Sequence, residues 1–239
     1  MATRPPTSRT RMTECVKSLQ AESVLAGLAA MPALVDYRDE RGRNWLHICA
    51  GVNATKRAGV KPSDAIALAD GLLRLGVDIN EPAFTEGSWQ ATALWYAVGR
   101  GRNLALARFL PEQGASPAHC LWAASFNEDL SMIRLLIEFG APLDAIAEQE
   151  TPFLGTIKAS KFRGARVLLD AGSDPDFVDV RGMTALHYML KKNSDAGHFS
   201  MFVDHGARGD IKGPDGRTAR DILARKRDKA FHAIAKKLA

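Results

Sequence analysis

The chain has 239 residues, of which 46% are hydrophobic and 25% charged, and its formal net charge is +5. This composition predicts a folded protein with a continuous apolar core. No apolar run approaches the roughly 18 residues of a membrane-spanning helix, and the first ten residues lack the apolar stretch of a secretory signal peptide. We therefore exclude a membrane-spanning protein and expect a cytoplasmic one.

A short phrase recurs along the chain. It reads Asn-Trp-Leu-His at 44–47 and Thr-Ala-Leu-His at 184–187, with partial copies at 92–94, 151–153 and 217–219. The asparagine or threonine predicts the N-cap of a first helix. An apolar segment follows most copies and stops at a glycine, which predicts a left-handed residue at the end of a second helix. These closing glycines are Gly76, Gly114, Gly140, Gly172 and Gly206.

The phrase, the apolar segment and the closing glycine resemble the ankyrin repeat, whose period is about 33 residues. The resemblance implies an all-α solenoid of stacked helix-turn-helix pairs with finger-like turns, about five to six repeats including caps. It also implies that His47 and His187 brace neighbouring repeats through hydrogen bonds. The Ala- and Arg-rich helices are typical of a bacterial protein. We expect a single domain, with a disordered leader at 1–10, an N-terminal cap at 11–38, repeats at 39–212 and a C-terminal cap at 213–239.

The spacing departs from the family in three ways. Leu46 to Gly76 is longer by about 11 residues, and the surplus at 52–64 predicts a loop inserted between the two helices of that repeat. Gly114 to Leu121 is about half the usual length, which predicts a truncated finger near 114–121. Leu94 to Gly114 and Leu186 to Gly206 are each one residue longer than the family pattern, and we expect the loop between the helices to absorb that residue.

The sequence carries few signs of catalysis. It has no phosphate loop, dinucleotide-binding glycine fingerprint, His-Glu-x-x-His helix or serine elbow. Cys15, Cys49 and Cys120 lack the spacing of metal ligands, and we predict buried thiols in a reducing compartment. His119 adjoins Cys120, but no third group orients the pair. We predict a protein that is not an enzyme and uses no metal or cofactor; the enzyme alternative would place a polar cleft at the 52–64 insertion.

The ankyrin resemblance implies binding of a protein segment on a preformed concave face made by first helices and finger tips. Trp, Tyr, Met and Arg, the residue types enriched in protein interfaces, occupy several of the corresponding positions. We expect the main anchor at Trp89, Tyr96 and Phe126; the alternative is that each ring only packs between fingers or covers a seam. The candidate partner-binding residues are Arg41, Arg43, Trp89, Tyr96, Arg100, Phe126, Asn127, Lys158, Arg181, Tyr188 and Lys191.

The charge distribution suggests the chemistry of the partner. From Lys191 to Ala239 there are 12 Lys or Arg against 6 Asp, so the C-terminal end is basic and favours an acidic or amphipathic protein segment. One alternative is a nucleic-acid-associated regulator that uses Arg225, Lys226 and Arg227. Another is a secreted effector acting in a host cell, with Thr3–Thr13 as a disordered leader. We expect a monomer that does not bind membranes.

Overall fold

The computed structural model describes residues 6–87, 89–147 and 149–238. Short helices follow one another in pairs, and a two-stranded antiparallel hairpin, β1 (Thr85–Glu86) and β2 (Trp89–Gln90), precedes one of the pairs. The first six helices are α1 (Arg9–Lys17), α2 (Ala21–Ala30), α3 (Trp45–Ala50), α4 (Pro62–Arg74), α5 (Ala93–Tyr96) and α6 (Leu104–Glu112). The others are α7 (Cys120–Phe126), α8 (Leu130–Glu138), α9 (Pro152–Lys158), α10 (Phe162–Asp170), α11 (Ala185–Lys191), α12 (Ala196–Asp204), α13 (Ala219–Ala224) and α14 (Lys229–Lys237).

The chain divides into two compact units, Met1–Ala123 with Glu138–Ala141 and Ala124–Ile137 with Pro142–Ala239. In the first unit, the first helices α1, α3 and α5 pack in sequence, and so do the second helices α2, α4 and α6. In the second unit, α9, α11 and α13 pack in the same order, and α12 packs on α14. Each unit is thus a stack of helix pairs in which first helices contact first helices and second helices contact second helices.

The core of each stack comes from apolar stripes on the helices. Residues three or four positions apart lie on the same helix face, so a stripe with this spacing can be buried while the opposite face meets solvent. Helix α4 follows this pattern, since it buries Ala65, Leu68, Ala69 and Leu72, while Arg74 and Asp70 form an exposed ion pair at 2.7 Å. The largest wholly buried side chains include Trp45, Phe153, Phe199 and Phe202.

The predicted helix ends are confirmed. The Asn44 side chain accepts a hydrogen bond from the His47 N–H at 3.0 Å, and Thr151 accepts one from the Leu154 N–H at 3.2 Å, so both act as N-caps. Pro152 stands at the first position of α9, where its missing N–H costs nothing. All five closing glycines have positive φ, as the repeat requires: Gly76, Gly114, Gly140, Gly172 and Gly206.

The extra residue of two repeats is accommodated in two ways. Between α11 and α12 the connection is longer than between α9 and α10, so the loop absorbs the residue as predicted. Between Leu94 and Gly114, however, Ala97–Gly101 forms a π-helical turn directly after α5. A π turn adds one residue inside a helix. The loop prediction for this repeat is therefore wrong, because the first helix itself takes up the surplus.

The inserted segment and the truncated finger are both present. After α3 comes a short 3-10 turn, Ala54–Lys56, and α4 begins at Pro62, so the end of the predicted 52–64 loop is helical. Ala54 is buried, and Arg57 donates a hydrogen bond to the Lys17 carbonyl at 2.9 Å. The insertion is thereby attached to the N-terminal helix pair. The connection between α6 and α7 has only seven residues, 113–119, and carries no strand or bridge among the described residues.

The N-terminal residues begin the first helix pair. Helix α1 starts at Arg9, inside the predicted 1–10 leader, and Ser8 caps it by accepting a hydrogen bond from the Arg11 N–H at 3.3 Å. Pro6 is buried close to Gly27 of α2. Residues 1–5 of the predicted leader lie outside the described residues.

Two equivalent turn glycines provide a matched stability test. Gly42 and Gly182 both have a φ of +71°, but a Cβ on Gly42 would lie 2.2 Å from the Ala83 carbonyl oxygen, whereas nothing lies within 4 Å of one on Gly182. Both alanine variants lose stability because alanine resists a left-handed backbone conformation. Only Gly42→Ala also introduces a steric clash. We expect Gly42→Ala to lower the free energy of unfolding by about 2 kcal/mol more than Gly182→Ala does. Urea denaturation followed by circular dichroism measures the difference; equal losses would contradict this close approach.

Candidate functional site

An aromatic cluster links the hairpin of the first unit to helix α5, and it consists of Phe84, Trp89 and Trp95. The Trp89 ring contacts Phe84 edge-to-face at 5.6 Å and Trp95 at 5.1 Å. Phe84 is 50% exposed, and Trp89 and Trp95 are half-buried. Trp89 is therefore held in place by its neighbours while part of the cluster faces solvent. The sequence predicted Trp89 and missed Phe84, because only the pairing of β1 with β2 brings the two rings together and no sequence motif marks it.

Tyr96 lies inside the first unit. It is 6% exposed and contacts the rings of His47 at 5.6 Å and Trp95 at 5.3 Å. This differs from the exposed position that the repeat register predicts, because rings from the preceding repeat and from its own helix cover it. The exposed side chain beside it is Arg100, whose guanidinium lies 5.7 Å from the centre of the Tyr96 ring. Tyr96 thus makes a cation–π contact that helps to hold the Arg100 guanidinium in place.

The turn of the first unit places Arg41 and Arg43 differently. Asp39 accepts hydrogen bonds from both backbone N–H groups, at 2.9 and 3.0 Å, which shapes the turn. Arg43 also forms an ion pair with Asp39 at 2.6 Å. Burial would raise the pKa of Asp39, but the hydrogen bonds from Arg43 and Arg41 outweigh it and lower that pKa. The Arg43 charge is thus neutralised inside its own turn, whereas the exposed Arg41 has no ion-pair partner among the described residues.

The corresponding turn of the second unit is built around Asp179 and Tyr188. Asp179 accepts the Arg181 N–H at 2.9 Å, and the Tyr188 hydroxyl donates to Asp179 at 2.5 Å. Burial, followed by the hydrogen bond and charge of Asp179, raises the pKa of Tyr188 to about 12. Tyr188 is 6% exposed, again unlike its predicted exposed position, because its hydroxyl is anchored within the turn. Arg181 remains exposed at the tip.

The remaining candidates of the second unit fall into two groups. Lys158 pairs with Glu150 and lies 5.2 Å from the Tyr188 ring centre, so its charge is already engaged. Phe126 is 60% exposed, and the Lys161 ammonium lies 4.5 Å from its ring centre, a contact that the sequence did not reveal. Asn127, next in the chain, is half-buried. Lys191 is exposed at the end of α11, where it borders a groove that sequence reasoning also missed.

The two repeat histidines differ in their hydrogen bonds. The His47 Nε2 lies 2.9 Å from the Glu81 carbonyl oxygen, so the predicted brace is made in the first unit. The His187 Nε2 is buried without a hydrogen-bond partner in the described part of the chain. Burial lowers the pKa of His187, although the nearby Arg217 carbonyl and the Asp215 carboxylate oppose this. The Arg217 carbonyl near His187 also accepts the Gly213 N–H at 2.9 Å.

Reactive and metal-binding groups are few among the described residues. Burial raises the pKa of Cys49 to about 12 and raises that of Cys120 as well, so neither is a thiolate at neutral pH. Both thiols are buried as predicted, whereas Cys15 is only half-buried. Within 6–87, 89–147 and 149–238, no group of three or more His, Cys, Asp or Glu residues could hold a metal ion. In the same residues, no helix has the length and apolar character needed to span a membrane.

Comparison with known proteins shows the fold. No protein-family model matches the sequence, and no curated protein resembles it significantly. The structure is similar to the human ASB11 ankyrin repeat domain, with 19% sequence identity, a TM-score of 0.69 and coverage of 97% of this chain and 99% of that one. It is also similar to the ankyrin repeat domain of Bcl-3, a member of the IkappaB protein family, with 18% identity, a TM-score of 0.73 and coverage of 94% and 97%. The stacked helix pairs, the capping residues and these likenesses together establish that the chain has the ankyrin-repeat fold.

Proposed function

We propose that this chain is a non-catalytic interaction module that binds a segment of a partner protein on the surface formed by its first helices and fingers. The observation that carries the proposal is the partly exposed aromatic cluster of Phe84, Trp89 and Trp95. Aromatic side chains are enriched in the energetically dominant centres of protein interfaces. The free, buried thiols Cys49 and Cys120 are in keeping with a reducing compartment such as the cytoplasm.

The geometry of the aromatic cluster supports binding more than hairpin stability alone. Packing within the hairpin would account for Trp89, which contacts rings on two sides, but it leaves half of Phe84 in water. Because its neighbours already fix the Trp89 ring, that ring loses little rotamer freedom when a partner binds there. The cluster therefore has both properties of an anchor: exposed apolar area and a fixed conformation.

The exposed cations indicate the chemistry of the partner. Arg41, Arg100, Arg181 and Lys191 are exposed and form no ion pair among the described residues. By contrast, Arg43 and Lys158 are engaged by acidic neighbours. Cations that form no ion pair can attract carboxylates of a partner and speed association. An acidic or amphipathic protein segment is thus the partner that these side chains favour.

The test compares the native chain with two double variants. Phe84→Ala with Trp89→Ala removes the exposed aromatic area. Leu75→Ala with Leu104→Ala removes similarly exposed apolar side chains, 42% and 44%, at the end of α4 and the start of α6. We expect the first pair to weaken binding of a purified partner about 30-fold or more, since anchor residues contribute at least about 2 kcal/mol. The second pair should bind like the native chain.

The partner is first captured from lysate treated with nuclease, identified by mass spectrometry and then titrated by calorimetry. Circular dichroism checks that both variants remain folded. Equal affinity of the native chain and the Phe84 and Trp89 variant would contradict the proposed site. Capture that disappears only when nuclease is added would instead indicate a nucleic-acid-associated protein.

A further inference from the structure

A groove of about 360 Å³ lies in the second unit, beside helices α11 and α13 and the finger between α12 and α13. Its apolar lining includes Met183, Leu190 and Ile222, and its rim carries Lys191 and Arg217. The volume is near the lower end of the roughly 300–1,000 Å³ that is usual for ligand pockets. It suits one or two side chains rather than a large cofactor.

The wall of this groove includes an imidazole with an unused donor. The His187 Nδ1 accepts hydrogen bonds from the Thr184 N–H at 3.2 Å and from the Thr184 hydroxyl at 2.8 Å. In a neutral imidazole the other nitrogen then carries the proton. The Nε2–H of His187 has no acceptor among the described residues, although the side chain is only 6% exposed. Buried donors are rarely left in this state, so the chain itself does not fully satisfy the polar groups in this wall of the groove.

The equivalent histidine of the first unit shows what is missing. There the His47 Nε2–H donates to the Glu81 carbonyl at 2.9 Å. In the second unit the nearby carbonyl is that of Arg217, which accepts the Gly213 N–H, and no hydrogen bond joins it to the His187 Nε2. The same histidine is therefore satisfied internally in one repeat and left unsatisfied in the repeat that borders the groove.

The rim has an unbalanced positive charge. Arg217 is paired with Asp215 at 2.6 Å. Lys191 is exposed and has no acidic partner among the described residues, and the segment from Lys191 to Ala239 holds 12 Lys or Arg against 6 Asp. An occupant with a carboxylate close to an apolar group would match both the lining and the rim.

We propose that this groove binds an acidic protein segment, which inserts one apolar side chain between Met183, Leu190 and Ile222 and places a neighbouring carboxylate on Lys191. The segment packs against the His187 imidazole, which lines the groove. The inference rests on the proposed function, because it takes the occupant to be a protein segment. It adds a second anchor, built on side chains other than those of the aromatic cluster.

The probes are short acetylated and amidated peptides with one central apolar residue, Leu, Ile, Met or Phe, between glutamates, and a matched peptide with Asn at the centre. Binding to the full chain is followed by NMR of the His187 imidazole, whose signals are assigned with the His187→Gln variant. At millimolar concentration, at least one apolar peptide should shift these signals. The Asn peptide should bind about ten-fold or more weakly, because it loses the buried apolar area.

Two charge variants distinguish specific binding in the groove from general electrostatic attraction between the acidic peptides and the basic chain. Lys191→Glu should weaken the best peptide about ten-fold or more, whereas Lys236→Glu, the same change at an exposed position of α14, should leave the affinity within about two-fold. Equal binding of the apolar and Asn peptides, or equal effects of the two charge variants, would overturn the proposal. So would the absence of any His187 shift with all four apolar peptides.

A final titration tests whether the groove binds a small acid rather than a protein segment. If 4-methylpentanoate, a small apolar acid, shifts the His187 signals at lower concentration than every peptide does, the groove recognises a small acid and the proposed segment is wrong. Failure of the peptides is also distinct from failure of the proposed function. Phe84 and Trp89 belong to the other unit, so loss of the captured partner on their substitution remains measurable by itself.

Discussion

Replacing Trp45 with alanine should lower the free energy of unfolding by about 3–5 kcal/mol, the range for truncating a large buried aromatic side chain. Trp45 is fully buried. Its ring stacks on Tyr37 at 4.4 Å, and its Nε1–H donates to the Leu34 carbonyl at 2.7 Å. Alanine would remove the ring contacts, leave a cavity and remove one of the two hydrogen bonds to the Leu34 carbonyl, which belongs to the 3-10 turn after α2 and also accepts the Tyr37 N–H. The packing of the first helix pair on α3 should therefore weaken.

Two controls isolate the causes of this loss. Trp45→Phe keeps an aromatic ring against Tyr37 and loses the hydrogen bond, so it should cost about 1–2 kcal/mol, well below the alanine variant. Trp89→Ala removes a half-buried ring from the hairpin and should cost less than Trp45→Ala. Urea denaturation followed by circular dichroism gives all three values. A loss below about 1 kcal/mol for Trp45→Ala would contradict its role as the link between the first two helix pairs.

Acidification should destabilise the first unit through His47. Burial lowers the pKa of His47 from its ordinary 6.5 to about 4, against the opposing carbonyl and charge of Glu81; Arg38 and Arg43 lower it further. Between these values the unfolded chain binds a proton that the folded chain does not, so stability falls as the pH falls. The contribution is fully present above pH 6.5 and is lost progressively towards pH 4. The difference corresponds to about 3 kcal/mol.

The His47→Gln variant is the matched control for this prediction. Glutamine can still donate to the Glu81 carbonyl but cannot become charged. Between pH 6.5 and 4.5, the free energy of unfolding of the native chain should therefore fall more steeply than that of the variant. Urea denaturation at a series of pH values measures both slopes. Parallel slopes would show that His47 does not remain neutral in the fold.

Local rules accounted for much of the fold. The N-caps at Asn44 and Thr151 and the left-handed closing glycines follow from the chemistry of single residues, so the repeat could be predicted from sequence. The placement of the extra residue could not. A loop and a π turn both absorb one residue, and the choice at Ala97–Gly101 depends on how α5 packs against α3, which no local pattern reveals.

The candidate site was less predictable, because exposure depends on neighbouring repeats. The register gives Tyr96 and Tyr188 an exposed position, yet His47 and Trp95 cover the first and Asp179 anchors the second. Phe84 has no position in the repeat phrase and becomes visible only when β1 and β2 pair. The unused N–H of His187 depends on where the following finger places the Arg217 carbonyl, a long-range detail that is absent from the sequence pattern.

The short connection at 113–119 has a consequence for protein engineering. Fingers elsewhere in the chain are about twice as long, and the connection from α4 to α5 contains a whole hairpin. Helix pairs of one chain thus tolerate connections of very different length, and lengthening a flexible loop adds little entropic cost. The 113–119 connection is therefore a natural graft point, where a finger of chosen sequence could be inserted to give the fold a new specificity.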